Sequence, residues 1–500
     1  MALNSHLLTI TESSIKLDPM KMPNAGEAEN GNDISGEAGG SLPYVKINGY
    51  NFQSGEVNSL ILDLDGKYPM VTVQLIDKQD VFSIDQFPRD GDILSLRIEL
   101  DRAGTYKDIR IDFTILEFNG VPSSSLNKAN GNSKYVARGI MKVPGMYTDE
   151  CKSYGEATSL EHIKTIAGEL QLGVATNIES TDDLMKRFCA FEPKLDLLKN
   201  IVLHSYISDE TFQTYSIDPY YYISFVNLQK IFNAENDIEL SEMLTSYKFK
   251  QRGTDPEDLD GKLGDTELIL TNHHNVAGTQ THIKKYNLIN NATQIALKNG
   301  YRRKMQFFDP TSEDLMLPEF DVESLVSDNI SDKESALKGR LNGLNDEYST
   351  LSKHKYTGIQ NDNVHINYKY AAINNIQNLV ELDKMYLEIE LDGVNPALYK
   401  YMKVPIAIYN YSVGSTAATN VVNNEAKEKG FDTKASAQEF GKAVEEQKTE
   451  SVQNSLFTLD EFLTGHYIIM GIKYKFNPTN GYTQTLKLAR REWPIRIDTV

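Results

Sequence analysis

GHYIIMGIKYKFNPTNGYTQTLKLAR, residues 465–490, is the stretch on which the fold turns. Met470, Ile472, Tyr474 and Phe476 fall on one side of its first arm, and Gly471, Lys473 and Lys475 fall on the other. In the second arm Leu486 and Leu488 oppose Thr485, Lys487 and Ala489. Period-two alternation around the turn cluster Asn477-Pro478-Thr479-Asn480-Gly481 predicts two half-buried antiparallel strands. One face is apolar enough to pack on a core, the other polar enough to line a surface, and almost nothing in either arm could do chemistry.

The rest of the chain is in keeping with a sheet-rich protein. Its 500 residues are 40% hydrophobic and include 27 tyrosines beside a single tryptophan, Trp493. Tyrosine favours β-structure and half-wet contact surfaces. The net charge of −19 argues against general nucleic-acid binding, which needs clustered Lys and Arg; it suits a soluble surface, or a lumen through which a polyanion slides without sticking. Two cysteines, Cys151 and Cys189, make no disulfide framework and no CxxC or Cys/His ligand spacing. The start of the chain lacks a secretory signal pattern, and no apolar run approaches the ~20 residues that span a bilayer. A soluble protein made in a cytoplasm, without membrane insertion, is the expectation.

Residues 1–43 read as a flexible arm, because 18–43 is rich in Gly, Asn, Glu and Pro and nearly free of aromatics. Residues 44–142 read as a first small β-barrel, with strand-like text broken by DG and NG turns. An α/β insert follows at 143–235. In TSLEHIKTIAGELQLG, Thr158 and Glu161 form a capping box, Leu160, Ile163, Ala167 and Leu170 share a helical face, and Gly173 closes the helix. A second helix is predicted in KLDLLKNIVLHSYI, with Leu195, Leu198 and Val202 on one face, and then strands around the turn Asp218-Pro219. Residues 236–364 form a connecting region with possible strands in SYKFKQ, TELILTN and HIKKYNL and an acidic, loop-rich part at 309–363. Residues 365–500 read as a second barrel: the helix YAAINNIQNLVEL, strands in MYLEIELDG and KVPIAIYNYS, a mobile polar excursion at about 413–458, and the closing hairpin.

No catalytic, cofactor-binding or metal site is assigned. His273, His274 and His282 match neither a helical HExxH nor a zinc-finger pair. The runs DPEDLDGKLGDTE and DLDG hint at calcium loops, but a solvated loop is the better reading; the first lacks the ligand register. No Walker A, GxGxxG or GxSxG is present, no carboxylate pair stands out for glycoside hydrolysis, and Arg302-Arg303-Lys304 reads as a solvated face.

The order β-domain, α/β insert, β-domain resembles the baseplate hub proteins of contractile phage tails and the hub part of type VI secretion spike proteins. PMVTVQLIDKQDVFSIDQFPRDGDILSLRIEL with IRIDFTILEF looks like their first tube-like barrel. RGIMKVPGMYTDECKSYGEATSLEHIKTIAGELQLGVATNIESTDDLMKRF looks like the insert, and AAINNIQNLVELDKMYLEIELDGVNPALYKYMKVPIAIYN with the terminal hairpin looks like the second barrel. The regions 309–363 and 413–458 have no counterpart. The resemblance implies a mainly β fold with two tube-like β-barrel domains per chain that superpose on each other, assembled as a pseudo-sixfold trimeric ring. It implies a structural virion protein of the tail baseplate, assembled in the host cytoplasm, without enzymatic activity. Such a hub joins the sixfold tail tube to the threefold central spike and forms part of the channel for DNA ejection. Its partners would be two further copies of itself, the spike, tube or tube-initiator proteins and baseplate wedge proteins, with no specific nucleic-acid binding. Acidic residues are expected on the channel and outer surface, and apolar, Tyr-rich strand faces with a few Arg or Lys pairs at subunit contacts. Two other classes compete: a tail-associated enzyme whose insert cleaves cell-wall polymer, and a receptor- or carbohydrate-binding tail protein using Tyr220, Tyr221 and Tyr222 as stacking platforms.

Overall fold

A computed structural model describes residues 9–11, 42–52, 55–78, 82, 87–89, 91–99, 108–121, 133–234, 270–272, 282–291, 294, 304–308, 320–321, 355–358, 365–411, 457–460 and 462–491. The SYKFKQ segment, His273, His274, and most of the 1–43 arm, of 309–363 and of 413–458 lie outside them. Two compact units emerge: residues 1–236, 283–404 and 467–495 form one, and residues 237–282, 405–466 and 496–500 form the other. The first unit runs across the boundaries drawn at 142 and 364, its opening segment ends one residue past the boundary at 235, and the stretch 365–500 is divided between the two.

A short strand, β1 (Thr9–Thr11), precedes the first β-block. That block comprises β2 (Tyr44–Ile47), β3 (Tyr50–Phe52), β4 (Val57–Asp63), β5 (Met70–Asp77), β6 (Ile93–Ile98), β7 (Ile109–Val121) and β8 (Ser133–Met141). Alternation builds it: Leu60, Leu62, Val71, Val73, Leu94, Leu96, Ile111 and Phe113 are buried, while the residues between them face outward. Phe52, Phe82 and Tyr135 extend this core as an aromatic cluster.

The insert holds β9 (Asp149–Ala157), α1 (Ser159–Glu169), β10 (Gly173–Thr176), β11 (Met185–Pro193), α2 (Lys194–Leu203), β12 (Gln213–Ile217), β13 (Tyr222–Asn227) and α3 (Leu228–Phe232). The capping box is present: the Thr158 side chain accepts from the Glu161 N–H, and the Glu161 carboxylate accepts from the Thr158 N–H at 2.9 Å. Leu160, Ile163, Ala167 and Leu170 are buried as the spacing predicts. The helix stops earlier than Gly173, however. Leu170 caps it, Gln171 turns into the left-handed region at φ 57, and Gly173 already belongs to β10. In α2 the buried face is Leu197, Leu198, Ile201 and Val202, so Leu195 lies beside the stripe and not in it. The strand order β1-β10-β13-β12 places Thr9–Thr11, inside the arm read as flexible, antiparallel against β10.

Next come β14 (Leu270–Thr271), β15 (Ile283–Asn290), β16 (Lys304–Phe308), β17 (Phe320–Asp321) and β18 (Lys355–Gly358). The chain continues through α4 (Tyr368–Lys384), β19 (Met385–Asp392), β20 (Lys403–Ala407), β21 (Tyr409–Tyr411), β22 (Phe457–Leu459), β23 (Gly465–Asn477) and β24 (Gly481–Ala489). In the second unit β14 runs parallel to β20 and β21 pairs with β22. Asn272 exchanges hydrogen bonds with the backbone of Tyr409 there.

The hairpin β23–β24 forms with its turn at Asn477–Gly481. Its apolar face is buried at Ile472, Tyr474, Phe476, Leu486 and Leu488. A bulge between Ile469 and Gly471 shifts Met470 off that face, so the simple alternation fails there. The second face is also partly covered: Ile468 and Ala489 join Phe212, Val226, Leu228, Ile231, Leu382 and Tyr401 in a second apolar cluster, with Met470 packed against it. This cluster ties the hairpin to the insert.

Candidate functional site

The feature that organises the first unit is a strand pairing between residues about four hundred apart in sequence. Strand β23 pairs antiparallel with β4, Lys473 opposite Asp63 and Tyr474 opposite Leu62. One sheet therefore runs β15-β19-β24-β23-β4-β5-β8-β7-β6-β2-β3, joining the terminal block to the first. The seam continues into the β4–β5 loop, where the Leu64 N–H donates to the Ile472 carbonyl at 2.8 Å.

That loop carries the DLDG run, Asp63 to Gly66, and its carbonyls do take a cation, but one from the chain itself. The Lys400 ammonium donates to the carbonyls of Leu64, Asp65 and Gly66 at 3.1, 3.0 and 2.6 Å. Burial, helped by Lys67 and opposed by Asp65, pushes Lys400 down to about 7. Lys67 donates to Thr214 Oγ1 at 2.8 Å and its carbonyl accepts from the Ile217 N–H, which fixes the loop to the insert. Gly471 fits beside Asp65 because a β-carbon there would stand 2.9 Å from the Asp65 Cα.

The register defines a face that crosses the seam without a break. One row of directly opposed residues runs Ile93, Thr114, Ile140, Met70, Asp63, Lys473, Thr485, Glu390, Lys285. A neighbouring row runs Glu117, Arg138, Thr72, Ile61, Lys475, Thr483, Asp392. Together they carry four cations (Lys473, Lys285, Arg138, Lys475) and four carboxylates (Asp63, Glu390, Glu117, Asp392), a sum of zero on a chain of −19. Lys473 pairs with Asp63 at 3.2 Å and Arg138 with Glu117 at 3.0 Å across adjacent strands, and Lys475 reaches over β24 to Glu390 at 3.9 Å. This face is charge-balanced, not acidic. It is also graded, since its first-block half is largely Ile, Thr and Met.

The insert carries a second set of ionisable groups, which His365, just ahead of α4, joins from outside it. Asp183 accepts from the N–H groups of Ser159 and Tyr206, Arg187 donates to Ser159 Oγ, and the ring nitrogens of His162 and His365 bond the carbonyls of Met185 and His204. Each thus holds a loop or a helix end. Lys194 bridges Glu150 and Glu169 at 3.1 and 2.8 Å, and Tyr154 donates to Glu169. Burial would raise the Glu169 carboxyl, but hydrogen bonds from Lys152 and Lys194 outweigh it and hold the group below the usual range. Glu192 moves the other way, raised by burial and by Asp196. Tyr221 is buried, its φ of 67 set by the Asp218 turn and its hydroxyl accepting from the Asp112 N–H. The tyrosine run packs inside the first unit and leaves no open platform of three rings.

His282 lies just before β15 and Lys304 opens β16. Cys151 is exposed and Cys189 buried, on opposite faces of β9–β11, and both are free. Among the described residues no group of three or more His, Cys, Asp or Glu could hold a metal ion, and no helix is long and apolar enough to cross a membrane. Sequence reasoning missed the seam lysine Lys400 and the two-row face, because both depend on which strands pair.

No protein-family model matches the chain, and no curated protein matches it. Among solved structures it is similar to the tail protein from Neisseria meningitidis MC58, 10% identical, covering 91% of this chain and 97% of that one, with a TM-score of 0.43. It is similar to the 43 kDa tail protein of prophage MuSo2 from Shewanella oneidensis, 9% identical over 90% and 98% of the two chains, TM-score 0.44. A third is the E. coli c3393 protein, a component of the type VI secretion system with structural similarity to the T4 tail proteins gp27 and gp5; it is 9% identical over 91% and 77%, TM-score 0.38.

Proposed function

We propose that this chain is a structural baseplate hub of a contractile tail. Three copies form a ring that joins a sixfold tube to a threefold spike, and the two-row sheet face lines the channel for DNA. One observation supports the reading: two sequence-distant β-blocks share a single sheet whose face is continuous and charge-balanced across the seam. Two blocks per chain make six in three chains, the number needed to meet a sixfold partner. A face whose lysines are already matched by carboxylates offers a phosphate backbone few unpaired cations, so a polyanion passes without being held. The ring would meet spike, tube and wedge proteins at its rims.

The enzyme reading asks for a carboxyl raised into the general-acid range within a fixed pair. Glu169 in the insert is held down, the opposite of that need, and Glu192 is raised but stands with no hydrogen-bonded catalytic partner among the described residues. Sedimentation tests the hub. Three copies of 56.3 kDa sum to 3 × 56.3 kDa, about 169 kDa, and the particle should persist at ~0.3 M salt, where screening acts over less than about 8 Å. A 56.3 kDa species at all concentrations would contradict the ring. Dissociation on adding salt would show that ion pairs hold it.

A further inference from the structure

The helix α4 is tied to the insert at two places of different chemistry. The inner tie holds no ionisable group. The Asn375 amide donates to the carbonyls of Val202, Leu203 and Ser205 at 3.2, 3.0 and 3.0 Å, its Oδ1 accepts from the Gln213 N–H, and Asn374 donates to the Thr211 carbonyl. The outer tie, at the start of the helix, is built on histidines. His365 Nε2 donates to the His204 carbonyl at 2.9 Å and His204 Nδ1 donates to the Tyr368 carbonyl at 3.2 Å. The Tyr368 ring stacks on His204 with centroids 3.7 Å apart and planes 6° apart. Because a carbonyl only accepts, neutral His365 carries its proton on Nε2 and keeps a lone pair on Nδ1. That nitrogen is buried without a hydrogen-bond partner, and so is Arg187 Nε. The two residues are 8% and 5% exposed.

We propose that His365 is an acid-operated latch: a second proton on its ring frees the segment 365–370 from the insert, while Asn374 and Asn375 keep the rest of α4 in place. The new proton would sit on Nδ1, which is buried and has no acceptor. The charges around the ring do not welcome a cation. Arg187 opposes one, and the guanidinium itself has a single hydrogen bond, to Ser159 Oγ. Asp183 favours one, but its two oxygens already accept the N–H groups of Ser159 and Tyr206, and Asp182 is exposed to water. His162, His204 and Tyr368, the other titratable rings of this corner, supply no negative charge. Burial is the largest effect, and with Arg187 it holds the His365 pKa below the ordinary 6.5, against the His204 bond and the two aspartates. Lifted into water, the ring protonates at its ordinary value. The open form therefore binds more protons than the closed one, and acid favours opening. One extra proton taken up at a pKa of 6.5 multiplies the open population by up to about tenfold between pH 7.5 and pH 5.5. Ile366, next in the chain, is already 92% exposed and adds little resistance. The latch belongs to the single chain, whatever the chain assembles with.

The test is amide hydrogen exchange of the full chain at pH 7.5 and pH 5.5, corrected for the intrinsic rate. It is read at Tyr368 and Ala371, whose N–H groups bond the carbonyls of His365 and Asn367. Protection there should fall by more than about threefold in acid, toward the tenfold limit, and should not respond to low urea, because a local opening exposes little surface. Leu379, beyond the asparagines, should stay better protected. His365→Gln should remove the acid response. A smaller fall overturns the latch, and so does a variant that keeps the full one. A fall shared equally by Leu379 and steepened by urea also overturns it, since the opening is then global. Should the variant not fold, NMR of the parent decides: the His365 ring should titrate below 6.5 in step with the loss of Tyr368 protection, and titration that leaves the protection unchanged overturns the latch.

Discussion

Leu62→Ala tests whether the two β-blocks stand or fall together. Leu62 is fully buried on β4, between Val71 of β5 and Tyr474 of β23, and so sits on the seam itself. Removing three carbons loses their transfer free energy, at ~0.8 kcal/mol per methylene-sized group, and leaves a cavity that a sheet held on both sides closes poorly. The expected loss is about 3–4 kcal/mol, inside the ~2.7–5 kcal/mol span of buried Leu→Ala changes. Set against a typical stability of about 5–15 kcal/mol this is large. Urea unfolding should show a lower midpoint with an unchanged slope. Amide exchange should then quicken in Met70–Asp77 and in Gly481–Ala489 alike, since both flank the seam. A loss under ~1 kcal/mol, or faster exchange confined to the first block, would refute the shared-sheet reasoning.

Acid should weaken the first unit. Burial lowers the pKa of His162 and His365 below 6.5, against hydrogen bonds to the Met185 and His204 carbonyls, so below pH 6.5 the unfolded chain takes up protons that the folded chain refuses. The urea midpoint should fall between pH 7.5 and pH 5.5, and His365→Gln should flatten that fall; a midpoint that rises on acidification would reverse the sign. Lys194→Met leaves Glu150 and Glu169 facing each other without their bridge and should cost about 1–2 kcal/mol, a buried pair's cost discounted for their partial exposure. The same substitution should raise the Glu169 pKa, which carboxyl NMR would follow. Thr158→Ala should cost about 1 kcal/mol by removing one arm of the capping box, read from thermal unfolding.

Local signals carried what is local. The hairpin turn, the strands of the first block and the Thr158 cap follow from alternation and from side chains that bond their own backbone, so they can be read from short windows. The seam cannot. Val57–Asp63 and Gly465–Asn477 each read as half-buried strands, and nothing in either names the other; only closure of the sheet does. The β9–β11 pair was hidden for a different reason. DECKSYGEA has little apolar alternation because its inner face is built from Glu150 and Lys152 held by ion pairs, and MKRFCAFEP points Arg187 inward and Phe188 outward, against hydropathy. Met470 misled because a bulge adds a residue to one strand, and a period-two count has no way to see it.

Electron microscopy of the assembled oligomer, reconstructed without imposed symmetry, tests the hub most directly. The account predicts three copies around a channel whose wall is made of six β-blocks, with Lys473, Lys475, Asp63 and Arg138 on its inner face. A particle without a channel, or one whose lumen is lined by another surface of the chain, would contradict it.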